Sequence, residues 1–363
     1  MNRRTMFSGA ALAVGSVAGV ALWRNWSGYP QPGEETVNLP EPPLVAKVGG
    51  MPYRAFGSTG LQVSEVGFGS WAIGGKAYGE VEHEESLRAL ARAEELGCNF
   101  VDTAGVYGDA EAVLGEFLQG RRDKWVVSTK YSGQPLGMTA TLEEQLGRLR
   151  TDHVDFYMIH WVPRDDEQPL YDELRALKQA GKARFVGVSV SAYPDVDYVL
   201  DHQDIDGVMA PFSLLDPAAY LPRRQRLLES GKAVIIRSSL KEGFLTGKYR
   251  TGATFPDPND QRHEWSREQI DATIANAERF RFLEPEAGSM VAGALAYPLS
   301  FPEVSTVVVG AKSVRHVDSN FGETPGKRLS AGSLRQVLEI QRELDLMGER
   351  SIRGIVKRLL GRY

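Results

Sequence analysis

Residues 125–160 read WVVSTKYSGQPLGMTATLEEQLGRLRTDHVDFYMIH. Two short apolar runs, Trp125–Thr129 and Val154–Ile159, flank Thr139–Arg150, where Leu142, Leu146 and Leu149 recur at helical spacing. The first run leads into Lys130 and the second into His160. Near-continuous apolar strands separated by an amphipathic helix predict a parallel sheet buried on both faces. The same unit extends in both directions. Further strands are predicted at Glu65–Phe68, Phe100–Asp102, Arg184–Val188, Gly207–Ala210, Ala233–Ile236 and Val304–Val309. Helices are predicted at Glu84–Leu96, Ala110–Leu118, Leu170–Ala180, Pro194–Leu200, Pro217–Glu229 and Arg267–Phe282. Eight β/α units in about 250 residues predict a closed (β/α)8 TIM barrel. No GxGxxG opens the first helix, which counts against the rival, a doubly wound open sheet. Segment 53–64 reads as an N-terminal hairpin turning at Ser58–Gly60 that plugs the barrel floor, and extra helices are expected after the last strand.

Composition sets the outer limits. The chain has 363 residues, 42 Lys+Arg against 47 Asp+Glu, and 42% apolar residues, which fits a globular protein and excludes wholesale disorder. A net charge of −5 offers no nucleic-acid footprint. The single cysteine, Cys98, excludes an intrachain disulfide, a CxxC pair and a thiolate zinc cluster. The six histidines show no HExxH or other ligand spacing, so no metal site is expected.

The ends differ from the centre. Arg3 and Arg4 precede an uncharged run from Thr5 to Trp23, closed by Arg24. Residues 1–26 therefore read as an export signal of twin-arginine type, with cleavage after Ala21, or as a retained anchor to the inner membrane. Residues 27–50, with five prolines and four glycines, read as an extended spacer, so the barrel domain is expected over 51–347. In 348–363, Ile352, Ile355, Val356, Leu359 and Leu360 form an apolar face flanked by Arg350, Arg353, Lys357, Arg358 and Arg362. Such a basic amphipathic tail suits an anionic membrane surface or docking on the barrel. A periplasmic or membrane-anchored location is the expectation.

Catalytic groups of (β/α)8 barrels follow the C-terminal ends of the strands. After the second strand stands Asp102-Thr-Ala-Gly-Val-Tyr107, after the third Lys130, and after the fourth His160-Trp161. Four ionisable residues thus converge on one rim. The chain here resembles the aldo-keto reductase superfamily, whose catalytic Asp, Tyr, Lys and His would fall on Asp102, Tyr107, Lys130 and His160. The phrases Gly67-Phe-Gly-Ser-Trp71, Gly181-Lys-Ala-Arg-Phe-Val-Gly-Val-Ser189, Arg237-Ser-Ser-Leu240, Gly243-Phe-Leu-Thr-Gly-Lys248 and Gly310-Ala-Lys-Ser313 carry the resemblance across residues 52–345.

The chemistry accounts for these residue types. Carbonyl reduction puts a hydride on carbon and a proton on the developing alkoxide. A phenol, which ordinarily ionises at about pH 10, needs help as an acid at neutral pH. A neighbouring ammonium favours the phenolate; Lys130 supplies that charge and Asp102 holds it. A neutral His160 would orient and polarise the substrate oxygen. The resemblance implies a nicotinamide cofactor, with Ser189 at the carboxamide, Arg237 stacked on the ring, and Ser238 and Leu240 presenting backbone to the pyrophosphate. It further implies Gly310, Lys312, Ser313, His316 and Asn320 around the adenosine. Lys312 and Ser313 suit a 2′-phosphate, hence NADPH (NADP+) over NADH.

Four positions depart from the family pattern. Val190 stands where many relatives carry Asn, Met209 where Gln is usual, Phe212 where Tyr is common, and Ser319 where an acid is common. The first two remove carboxamide hydrogen bonds, each worth about 1 kcal/mol. Trp71, Trp161 and Trp265 are expected to wall the pocket of a small-molecule carbonyl substrate. Segment 241–266 is expected to close over the cofactor. The alternative to a carbonyl reductase is a cofactor-binding redox sensor or scaffold with little turnover.

Overall fold

The computed structural model describes residues 32–75, 78–164, 167–191 and 193–347. The expected export segment and the basic tail lie outside the described residues. Eight parallel strands close a barrel: β4 (Val66–Gly69), β5 (Phe100–Asp102), β6 (Val126–Tyr131), β7 (Val154–Ile159), β8 (Ala183–Ser189), β9 (Gly207–Pro211), β10 (Ala233–Arg237) and β11 (Thr306–Gly310). The barrel closes where β11 pairs with β4, Val307 lying opposite Val66. Strand side chains alternate between two surroundings. Val127, Tyr157, Ile159, Val186, Val208 and Val234 face the helices, whereas Phe100, Val126, Phe156, Met158, Met209 and Ile235 fill the barrel axis. Phe156 takes the room left by two glycines: a Cβ on Gly187 would lie 2.3 Å from its ring, and one on Gly207 3.0 Å.

A three-stranded antiparallel sheet, β1 (Leu44–Val48), β2 (Met51–Ala55) and β3 (Gln62–Ser64), covers the floor. The hairpin plugs it as its sequence predicts. Phe56 meets Phe156 edge-on at 5.1 Å and Phe100 at 5.6 Å. Buried Arg54 ties the hairpin to the entry of β11 through the carbonyls of Phe301 and Val304, at 3.1 and 2.8 Å.

The domain begins before Met51. The expected spacer is an extended tether only on composition; from residue 32 it packs on the barrel. Val37 is buried, the Glu35 carbonyl accepts from Arg224 at 2.8 Å, and β1 pairs with β2. Its prolines leave enough free backbone groups in 44–48 for a strand ladder, and Val37 supplies an apolar anchor that composition averages away.

Most predicted helices form within two residues of their expected ends, including His83–Glu95, Ala110–Phe117, Met138–Leu149, Pro169–Gln179 and Tyr193–Leu200. The expected helix at 217–229 is shortened to a 3-10 turn, Leu221–Arg223, and a helix at Arg224–Ser230, because Pro222 lacks an N–H and clashes within a helix interior. The one expected at 267–282 stops at Glu278, and its start is capped reciprocally by Ser266 and Gln269. A helix at Met290–Leu299 has no amphipathic signature because all its residues except Val291 are buried. The expected C-terminal addition is Ala331–Glu343, capped by Ser330. Cys98 is buried, and burial pushes its thiol up to about 11.

Candidate active site

The inward positions of the strands change character along the barrel. On β6 the axis-facing residues run Val126, Ser128, Lys130; on β7 they run Phe156, Met158, and beyond the strand His160. A parity readable in sequence therefore turns polar groups inward at the top layer, above the apolar plug. Asp102 ends β5 and Arg237 ends β10 on the same inward register as Phe100 and Ile235.

These groups meet. The Lys130 ammonium donates to Asp102 Oδ2 at 2.6 Å, to the Thr103 carbonyl at 2.7 Å and to Tyr107 Oη at 3.3 Å. Ser128 donates to the other Asp102 oxygen at 3.1 Å. Lys130 is fully buried. Burial alone would lower the Lys130 pKa, but Asp102 and Tyr107 outweigh it and hold the ammonium above its ordinary value. Burial pushes the Asp102 carboxyl up, against the pull of Lys130. The arrangement is a cation locked by one carboxylate and aimed at one phenol.

The His160 ring centroid lies 6.1 Å from that of Tyr107. Burial, with Lys130 and Arg237 adding to it, pushes His160 down to about 3, so the imidazole is neutral at working pH. Tyr107 is fixed from behind. Trp71 packs edge-on at 4.8 Å, and Gly74 sits so close that a Cβ would lie 1.7 Å from the Tyr107 carbonyl oxygen. Trp161 packs on Tyr131 at 5.7 Å and donates to Glu167. Trp265, expected to wall the pocket, is half-buried on the long loop. It stacks on Phe244 at 5.3 Å, in a cluster with Ile270 and Ile274, because the loop that carries it needs its own apolar core.

That loop belongs to segment 241–266, and several contacts fasten it to the barrel rim. Asp260 bridges Tyr78 on the loop after β4, spanning the end of β11. Arg262 donates to Asp260 Oδ1 at 2.8 Å, to the Glu242 carbonyl at 2.9 Å and to Tyr249 Oη at 2.6 Å, with its guanidinium 4.0 Å over the Phe255 ring. Lys312 donates to the Tyr78 carbonyl from the β11 end.

The ends of β8, β10 and β11 carry the residues expected to meet the cofactor. Ser189 is buried at the end of β8, opposite Met209. Arg237 donates to the Val190 carbonyl at 3.0 Å and to Ser238 Oγ at 3.3 Å. Val190 turns its side chain into the outer core. Ser238, Lys241 and Glu242 hold left-handed φ of 61°, 45° and 50°, a strained turn whose centre is Leu240. At the β11 end, Ser313 caps the helix Val314–Val317, and Asn320 donates to the Gly310 carbonyl at 3.2 Å. Burial lowers His316, and Lys248, Lys312 and Arg315 lower it further.

Arg237 Nε and Glu242 Oε2 are buried without a hydrogen-bond partner. Lys248 lies within the quoted glycine-bounded phrase, but nothing in the sequence assigns it to the His316 neighbourhood. Among the described residues no cluster of His, Cys, Asp or Glu could hold a metal.

Fold and site together define a closed (β/α)8 barrel whose rim carries a buried lysine paired with an aspartate and a tyrosine. The chain belongs to the aldo/keto reductase family, whose sequence pattern matches residues 65–341. It is an oxidoreductase of the family whose members use nicotinamide cofactors and act on small carbonyl compounds. It is 29% identical over 298 residues to the oxidoreductase YqkF of Bacillus subtilis, covering 76% of this chain and 92% of the relative. It is 29% identical over 293 residues to the L-galactose dehydrogenase of Arabidopsis thaliana, covering 74% and 86%. The solved glycerol dehydrogenase of Gluconobacter oxydans superposes with a TM-score of 0.66 at 26% identity, covering 80% of this chain and 95% of that one.

Proposed function

We propose that the protein reduces aldehyde or ketone carbonyls to alcohols with NADPH, the proton coming from Tyr107. The observation that carries this reading is the buried Lys130 ammonium, 2.6 Å from Asp102 and 3.3 Å from Tyr107 Oη. The bound nicotinamide would supply the hydride to the carbonyl carbon. Tyr107 then protonates the developing alkoxide, and Lys130 stabilises the phenolate left behind. Asp102 keeps Lys130 aimed, since a lysine without that partner has a long, mobile stem. Neutral His160 donates to the carbonyl oxygen and polarises it before transfer. Trp71 and Trp161 wall the substrate, and their aromatic surfaces favour apolar carbonyl compounds. NADPH oxidation against a panel of aldehydes and ketones tests the reading. Cofactor binding with no turnover on any of them would favour the redox-sensor alternative, which Val190 and Met209 motivate.

Preference for NADPH rests on Lys312 and Ser313 at the end of β11, with the Lys312 N–H 3.4 Å from His316 Nδ1. The NADH-specific methylglyoxal reductase of Escherichia coli, 29% identical over 225 residues with 53% of this chain covered, makes cofactor choice the property to test. Lys312→Ala is expected to raise KM for NADPH about tenfold to a hundredfold, the value of one charged hydrogen bond, and to leave KM for NADH unchanged. Equal effects on both cofactors would count against a 2′-phosphate site at Lys312.

We also propose that residues 1–26 direct export or anchor the protein to the inner membrane, on the strength of Arg3-Arg4 and the uncharged run that follows. Sequencing the N-terminus of the protein from fractionated cells is expected to find cleavage near Ala21, or an uncleaved chain in the membrane fraction. An intact Met1 on cytoplasmic protein would overturn this.

A further inference from the structure

His160 acts on a substrate oxygen only if the ring nitrogen facing the pocket carries a hydrogen. A neutral imidazole has one N–H, and either nitrogen can hold it. The structure shows what sits on the other nitrogen. Ser132 Oγ lies 2.8 Å from His160 Nδ1. The contact is built into the barrel ladder. Tyr131 pairs with Ile159, and the His160 N–H donates to the Tyr131 carbonyl at 2.9 Å, so the next residues, Ser132 and His160, fall side by side and inward. Gln134 pins the segment, accepting from the Ser132 N–H at 2.9 Å through Oε1 and from Tyr131 Oη at 3.1 Å through its carbonyl. Gly133, at φ +80°, makes the turn that directs the chain away immediately afterwards.

Two hydrogen arrangements fit a 2.8 Å contact. Either the serine hydroxyl donates to Nδ1 and Nε2 carries the ring hydrogen, or Nδ1–H donates to the serine and Nε2 is bare. Among the described residues, no other acceptor pairs with the Ser132 hydroxyl and no N–H donates to it. The first arrangement uses the serine hydrogen within the protein; the second leaves it without a protein acceptor. We infer that Ser132 is a positioning residue that fixes His160 as the Nε2–H tautomer and so makes it a donor to the substrate oxygen. The inference rests on the carbonyl-reductase reading for its consequence, while its structural content concerns the free protein. The neutrality it requires follows from burial and from Lys130 and Arg237, the cations facing the ring.

The test is a long-range proton–nitrogen spectrum of the cofactor- and substrate-free full chain, labelled with nitrogen-15 histidine, at neutral pH, with His160→Gln identifying the signal. The expected result is a protonated Nε2 and a bare Nδ1 in the wild type. Ser132→Ala is expected to move the signal toward a tautomer mixture and to lower kcat about three- to tenfold, the range of one hydrogen bond, with cofactor Kd and Tm unchanged. Ser132→Thr, which keeps the hydroxyl, is expected to restore both tautomer and kcat. A protonated Nδ1 in the wild type overturns the inference, as does an unchanged tautomer in Ser132→Ala. Because the spectrum needs no turnover, the protein failing to reduce any carbonyl would sink the proposed function without touching the tautomer result.

Discussion

Tyr107→Phe is expected to lower kcat for carbonyl reduction by about 10²- to 10⁴-fold, the range of a lost general acid. NADPH affinity is expected to stay within about twofold, since one hydroxyl far from the phosphates contributes little to it. The substitution removes only Oη, the atom 3.3 Å from Lys130, and keeps the ring that packs on Trp71. Tm should therefore barely change. Cofactor binding by fluorescence titration and single-turnover NADPH oxidation separate these effects. A variant retaining more than a tenth of the wild-type rate would show that the proton comes from elsewhere.

Lys130→Met is expected to have the second large effect, on activity and on stability together. The wild-type ammonium is fully buried and neutralises the buried Asp102. Removing it leaves a carboxylate without its cation, at a cost of about 3–5 kcal/mol. Burial already pushes the Asp102 carboxyl up, with Lys130 the largest opposing influence, so without Lys130 it rises further. A folded-state pKa above the unfolded one means the native state binds the extra proton. Stability of Lys130→Met should then fall as pH rises through the window between the unfolded and folded values, and recover on acidification. Adding Asp102→Asn should remove that pH dependence and restore part of the stability, while activity stays low because Tyr107 still lacks its ammonium. Urea denaturation of the single and double variants across pH checks the sign. A flat pH profile for the single variant would mean that Asp102 finds another partner.

The two predictions differ in where their information comes from. That Tyr107, Lys130 and His160 stand at one rim follows from their places after predicted strands, because a period of two and a helical period fix which ends of the barrel these residues reach. Trp265 shows where such reasoning stops. An aromatic residue on a long loop reads as pocket wall, and periodicity carries no sign that it also packs on a small apolar core with Phe244 and Ile274. The segment before Met51 is a similar case. Proline content reads as a tether, and one buried valine with one strand ladder makes it part of the domain.

The sequence by itself determined the alternation of strands and helices, the closed barrel, the hairpin in its floor and the residue types lining its rim. These follow from local periodicity and from chain order. Only the tertiary structure decided which of those residues touch. Lys130 meets Asp102, and Ser132 meets His160, because parallel strands bring residues 28 apart into register. The Asp260–Tyr78 bridge forms because barrel closure sets β4 next to β11 and within reach of the loop from β10. Periodicity carries no record of such pairings: they depend on the closure of the sheet, which fixes neighbours that the order of the chain keeps far apart.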